Sequence, residues 1–93
     1  MLFLEQLREH YNQTKLAILE GVSDQIASEY PELKNAMEIK RNRLEINSDL
    51  CCCYIDMDNG LFKICIDGNP AYYYQDFEGI LEDIGDEIAA NEQ

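Results

Sequence analysis

The side chains best suited to chemistry crowd into one stretch, Leu50 to Gly68, LCCCYIDMDNGLFKICIDG. Three adjacent cysteines (Cys51, Cys52, Cys53), a fourth at Cys65, and the carboxylates of Asp56 and Asp58 ahead of Gly60 are donor types used for zinc or calcium. The spacing argues against both metals. A calcium loop of the EF-hand type needs acids at its first, third and fifth positions and glycine at its sixth; counted from Asp56, Gly60 comes one place early. Zinc needs donors converging on one point. Successive side chains on a strand point to opposite faces, so Cys51 and Cys53 face one way and Cys52 and Cys65 the other. Cys52 and Cys65 fall diagonal to each other, poorly placed for an unstrained disulfide. No metal or cofactor is expected. The thiols read as reduced, with Cys51 and Cys53 acting as small buried hydrophobes.

Catalysis finds little support. A nucleophile needs a base within hydrogen-bond reach, and the one histidine, His10, lies in a separate segment. No glycine-rich phosphate loop occurs: Gly60 and Gly68 mark turns, and the other glycines fall singly within predicted helices. The sequence therefore reads as that of a non-enzyme, and the stretch that suggested a metal reads better as a hairpin.

The elements that carry these residues follow from periodicity. Leu4, Leu7, Tyr11, Ile18, Val22 and Ile26 recur with a 3.6-residue period and predict a helix, with Lys15 snorkelling from its apolar face and Pro31 ending it near Glu29 or Tyr30. Gly21 is a candidate bend. Without a bend the helix runs about 40 Å, at 1.5 Å per residue, and overhangs a domain of this size, which would call for a partner subunit. Asp58-Asn59-Gly60 is a strong hairpin signal. With Asn59-Gly60 as the loop, Ile55 faces Ile64 and Met57 faces Phe62 on an apolar side, while Asp56 faces Lys63 as a cross-strand charge pair on the other. A turn at Ser48-Asp49 sets Ile46 against Cys51 and Leu44 against Cys53. A weaker one at Arg41-Asn42 sets Ile39 against Leu44 and Met37 against Ile46. Downstream, DGNP turns the chain into AYYYQ. Asp76 is suited to N-cap a last helix whose Phe77, Ile80, Leu81, Ile84 and Ile88 form an apolar stripe.

The expected fold is a single α+β domain over residues 1–93: an N-terminal helix, an antiparallel meander of four or five strands, and a C-terminal helix, with both helices on the apolar face of the sheet. Apolar residues make up 46% of the chain, too many for a disordered acidic tail. No apolar run is long enough to span a membrane. The segment MLFLEQLREHYN mixes charges of both signs without a small-residue cleavage site, so no signal peptide is expected, and a cytoplasmic location is.

Charge narrows the class of partner. Nineteen acids against seven bases give a net charge of −12. Residues 49–93 hold eleven of the acids and a single base, Lys63. Such a surface repels nucleic acid and anionic membranes and favours a basic protein.

Two surfaces are candidate sites. The polar face of the last helix carries Glu78, Glu82, Asp83, Asp86 and Glu87 with no lysine or arginine among them. Its like-charge pairs four residues apart each oppose helix formation by about 0.2–0.5 kcal/mol, and solubility alone would be served by mixed charges. A basic partner explains the bias. The outer face of the sheet carries Tyr54, Cys52 and Cys65, with Tyr72 and Tyr74 or else Tyr73, and is a candidate interface for a homodimer or other partner.

The function expected is that of a small acidic, non-catalytic protein-binding module: an inhibitor, an immunity-type protein or a nucleic-acid mimic occupying a basic surface. An acidic dimeric chaperone or adaptor is the first alternative. A small enzyme or ligand-binding domain with a pocket between helices and sheet is the second.

Overall fold

The computed structural model describes residues 2–92, without the side chains of Leu2, Phe3 and Arg8. The chain runs through helix α1 (Leu2–Glu29), a 3₁₀ turn (Pro31–Ala36), strands β1 (Met37–Lys40), β2 (Arg43–Asn47), β3 (Cys52–Asp58), β4 (Leu61–Ile66) and β5 (Tyr72–Tyr74), and helix α2 (Phe77–Asn91). The strands form one antiparallel sheet in chain order, β1-β2-β3-β4-β5. The expected meander is therefore present, in its five-stranded form.

Turn chemistry fixes most of the register. Arg41 and Asn42 (φ 56° and 59°) and Asn59 and Gly60 (φ 52° and 80°) all take positive φ, as two-residue hairpin turns matching the strand twist require. Ile39 consequently faces Leu44 and Met37 faces Ile46. Across β3 and β4, Ile55 faces Ile64, Met57 faces Phe62 and Asp56 faces Lys63, as the sequence predicts.

The β2–β3 turn departs from expectation. Its centre is Asp49-Leu50, not Ser48-Asp49. Ser48 and Cys51 exchange backbone hydrogen bonds (3.1 and 3.2 Å), and the Ser48 hydroxyl accepts from the Leu50 amide at 3.1 Å. Moving a turn centre by one residue moves the pairing by two, so Ile46 faces Cys53 and Leu44 faces Ile55. An even shift preserves the faces, and Cys51, Cys53 and Ile55 remain buried.

One core fills the space between the sheet and both helices: Leu19, Val22 and Ile26 from α1, Leu33 from the 3₁₀ turn, Leu44, Ile46, Cys53, Ile55 and Ile64 from the sheet with Cys51 beside it, and Ile80, Ile84 and Ile88 from α2. Among the described residues no polar or charged side chain is buried. Each fully buried isoleucine or leucine contributes about 1.5–3 kcal/mol. Helix α1 lies against β1–β3 and α2 against β4 and β5.

Two glycines let α2 sit close. A Cβ on Gly79 would come 2.3 Å from the Tyr74 ring, and one on Gly85 would come 2.5 Å from the Tyr30 hydroxyl. That hydroxyl donates to the Leu81 carbonyl at 3.0 Å and ties the end of α1 to α2. Phe77 of α2 packs against Phe62, ring centroids 5.6 Å apart. Asp76 occupies the N-cap with extended backbone (φ −106°, ψ 147°), but its side chain makes no cap hydrogen bond. At the far end Asn91 donates to the Leu50 carbonyl at 2.9 Å.

Helix α1 is continuous through Gly21 and ends at Glu29, before Pro31. It is not broken there; it overhangs, and the molecule measures 53 × 24 × 21 Å. The predicted apolar face is split as a result. Val22 and Ile26 enter the core together with Leu19, which the periodicity had not included, while Leu4, Leu7, Tyr11 and Ile18 stay exposed. Lys15 sits where the overhang leaves the sheet and forms an ion pair with Asp56. The Asp56 carboxylate also accepts from the Met57 amide at 2.7 Å. The cross-strand pair expected between Asp56 and Lys63 is thus replaced: a helix lysine takes the carboxylate. No helix of the described residues is long and apolar enough to cross a membrane.

Candidate functional site

Alternation along β5 decides which tyrosines share a face. Tyr72 pairs with Ile64 and Tyr74 with Phe62, so both lie on the side that α2 covers; Tyr73 pairs with Lys63 on the outer side with Tyr54. Of the two groupings left open, Tyr73 is the one that shares the outer face with Tyr54, and the grouping of Tyr54 with Tyr72 and Tyr74 is corrected. A three-residue run of one residue type has no apolar–polar alternation, and nothing local distinguishes its two faces.

The outer face is furnished with cations. Arg43 stacks over the Tyr54 ring at 4.1 Å, and Lys63 lies 5.9 Å from both the Tyr54 and Tyr73 ring centres. Arg43 also bonds Glu45 at 3.2 Å. These contacts use the ring faces that a partner would need. Cys52 and Cys65 line a shallow depression of about 200 Å³ on this side with Arg43, Glu45 and Tyr54. Each thiol has a nearby acceptor: the Asn47 side-chain oxygen for Cys52 (3.7 Å) and the Asn69 carbonyl for Cys65 (3.6 Å).

The inward cysteines touch each other. Cys51 Sγ lies 3.8 Å from Cys53 Sγ. Hydrogen bonding within the pair, with burial added, pushes the Cys53 thiol up, away from the thiolate form that reacts or binds metal. Among the described residues no three His, Cys, Asp or Glu side chains converge to hold a metal ion. His10 is exposed on α1, in a different element from the buried thiols.

Turning Tyr72 and Tyr74 toward α2 joins two sets of residues that the sequence left separate. A groove of about 290 Å³ runs between the β5 edge and α2, lined by Ile66, Tyr72, Tyr74, Asp83, Asp86 and Glu87. Tyr72 is 52% exposed and forms one wall. Tyr74 donates its hydroxyl to Asp83 at 2.7 Å. That bond, with burial, pushes the Tyr74 phenol up to about 12. Glu87 accepts from Asn91 at 3.1 Å. Asp83 and Glu87 are half-buried and held by these donors, whereas Glu78, Glu82 and Asp86 are exposed. A second depression, about 440 Å³, lies across Tyr74 and carries Asp76, Glu78 and Glu82. The five predicted carboxylates thus divide between two hollows on either side of one tyrosine.

Among the described residues no cation answers them. The ion pairs among the described residues are Lys15–Asp56, Lys40–Glu38, Lys40–Glu45 and Arg43–Glu45, none of which involves α2. The arrangement suits a lysine or arginine side chain laid along Tyr72, its charge among Asp83, Asp86 and Glu87. Sequence reasoning found the carboxylates and tyrosines. It missed their union, because the facing of Tyr72 depends on pairing with β4. No protein-family model, no curated protein and no solved structure matches the chain.

Proposed function

We propose that this chain is a small, non-catalytic protein-binding module that uses the groove between β5 and α2 to hold a basic segment of another protein. The observation that carries the reading is the union of Tyr72 with Asp83, Asp86 and Glu87 in one groove to which the described chain supplies no cation. Keeping so many acids on one short helix opposes its own stability, and a cationic partner offsets that opposition. Inhibitors and immunity-type proteins that cover a basic cleft, and mimics of a nucleic-acid backbone, belong to this class. A cytoplasmic setting accords with the free thiols.

The test uses Asp86→Lys, at an exposed position in the groove. Retention of partners from a host lysate is measured for wild type and variant at low and moderate salt. The reading requires wild-type binding that weakens steeply with salt and is lost in the variant, while the variant melts no lower than wild type. A variant that keeps every wild-type partner would sink it and leave the acidic face a role in solubility only.

A dimeric adaptor is the second reading. The overhanging, apolar-faced half of α1 favours it.

A further inference from the structure

Residues 4–18 of α1 present a stripe that the domain leaves exposed. Leu4, Leu7, Tyr11 and Ile18 are 58, 50, 55 and 38% exposed. Their spacing is that of a heptad seam: Leu4, Tyr11 and Ile18 at one repeating position, Leu7, Thr14 and Gly21 at the other. A continuous helix of this length ending in water is marginal without packing, and large apolar side chains along it need a cover.

We infer that a second copy of this chain provides the cover, the two α1 helices packing antiparallel along this seam. Three features favour a second copy over an unrelated segment. The seam is complementary to its own reverse. In the antiparallel register that sets Leu7 against Ile18 of the second copy, Tyr11 meets Thr14 and Leu4 meets Gly21. Each larger side chain then opposes one of equal or smaller size, six layers in all about a two-fold axis. Gly21 is the second feature. Its backbone is ordinary helix and a Cβ there would meet nothing within 4 Å of its own chain, so neither turn geometry nor internal packing accounts for a glycine. It disfavours the helix relative to alanine, and in this register it makes room for Leu4 of the second copy. The third is charge. Residues 2–18 hold two acids, Glu5 and Glu9, and two bases, Arg8 and Lys15, and so carry none of the net −12. Two copies meeting here keep their acidic α2 helices out of the contact.

The seam also continues onto the domain. A hollow of about 180 Å³ lies between Tyr11, Thr14, Lys15 and Ile18 of α1 and Met57 and Gly60 at the β3–β4 turn. Leu7 of the second copy, facing Ile18, lies beside this hollow. With four large side chains from each copy, the contact falls at the small end of stable interfaces, and a concentration-dependent dimer is expected. This interface stands apart from the groove at α2, and either can fail without the other.

Equilibrium sedimentation over a concentration series tests it. The wild type should pass from 10.8 kDa toward twice that mass. Leu7→Glu should remain monomeric with its melt unchanged, since Leu7 touches nothing in the core. Ile18→Lys should dissociate likewise. The double variant Leu7→Glu with Ile18→Lys sets opposite charges against each other only when the helices run antiparallel, and should recover at least tenfold of the lost affinity. A wild type that stays monomeric at millimolar concentration, or a dimer indifferent to Leu7→Glu, overturns the proposal. Loss in both single variants without recovery in the double overturns the antiparallel register. A monomer that instead captures another protein through Leu4, Leu7 and Tyr11 assigns the stripe to that protein and also overturns it.

Discussion

Helices α1 and α2 rest on the same face of one sheet, yet the domain uses them differently. All of α2 is engaged: Ile80, Ile84 and Ile88 fill the core, Gly79 and Gly85 admit two tyrosines, and Asn91 ties its last turn to the β2–β3 loop. Only the second half of α1 enters the core, through Leu19, Val22 and Ile26, with the Lys15–Asp56 ion pair at its margin. The outward faces contrast too. That of α2 is acidic and lacks a basic residue; that of the α1 overhang is apolar and nearly neutral. A helix held along its whole length can bear repulsive charge on its outward face. A helix held at one end needs something to hold the other.

The largest expected difference is between equivalent truncations. Ile84→Ala should destabilise the domain by about 2–5 kcal/mol, because a fully buried side chain leaves a cavity. Leu7→Ala should shift monomer stability by less than about 0.5 kcal/mol. Urea unfolding at a concentration low enough to keep the chain monomeric measures both. Comparable losses would show that the overhang packs on the domain after all.

Glycines give the next contrast. Gly79→Ala drives a methyl into the Tyr74 ring and should cost about 1–3 kcal/mol despite better helix propensity. Gly21→Ala meets open space and should stabilise the monomer by about 0.5–1 kcal/mol. The same substitution should weaken the proposed dimer, where Leu4 needs that space. Melts and sedimentation on one pair of variants separate the two effects.

Tyr74 and Asp83 allow a test by pH. The Tyr74 phenol titrates near 10.0 when unfolded and at about 12 when folded, through its bond to Asp83. Between those values the native state holds a proton that the unfolded state has released. Stability from this pair is therefore complete below about pH 10 and is lost as pH rises toward 12. Tyr74→Phe should cost about 1 kcal/mol at neutral pH, the hydrogen bond being partly wet, and should flatten the alkaline limb of the stability curve. An unchanged limb would place the titration elsewhere.

Asp86→Lys should have the smallest effect on the fold, a gain of about 0.5 kcal/mol. It removes the repulsion from Glu82 and sets a cation near the negative end of α2. A loss of stability would mean that Asp86 holds an internal partner.

Strand pairing was legible wherever two-residue turns with a left-handed requirement declared themselves, at Arg41-Asn42 and Asn59-Gly60. Ser48-Asp49-Leu50-Cys51 hid its turn centre, because neither Asp49 nor Leu50 takes a positive φ and no turn-specific residue marks the middle. In α1, periodicity placed Leu7 and Val22 on one face but could not show where the sheet stops beneath them. Leu19 was missed because it sits at the margin of that stripe, where the sheet rather than the heptad sets the buried direction. Of the candidate site, the carboxylates of α2 were visible as composition. The groove was not, since it depends on which way a run of three tyrosines pairs with β4. The role of the α2 glycines was not legible either, since the rings of Tyr30 and Tyr74 that lie against Gly85 and Gly79 come from other elements.

Amide hydrogen exchange along α1, in wild type and in Leu7→Glu over a range of concentrations, tests the contrast between the helices most directly. Amides of α2 and of residues 19–26 should be protected equally in both proteins at every concentration, because the domain's own core holds them. Amides of residues 6–15 should gain protection with concentration in the wild type and exchange rapidly throughout in Leu7→Glu. Equal protection of residues 6–15 in the two proteins, whether high or low, at every concentration would contradict the claim that a second copy holds the free half of α1.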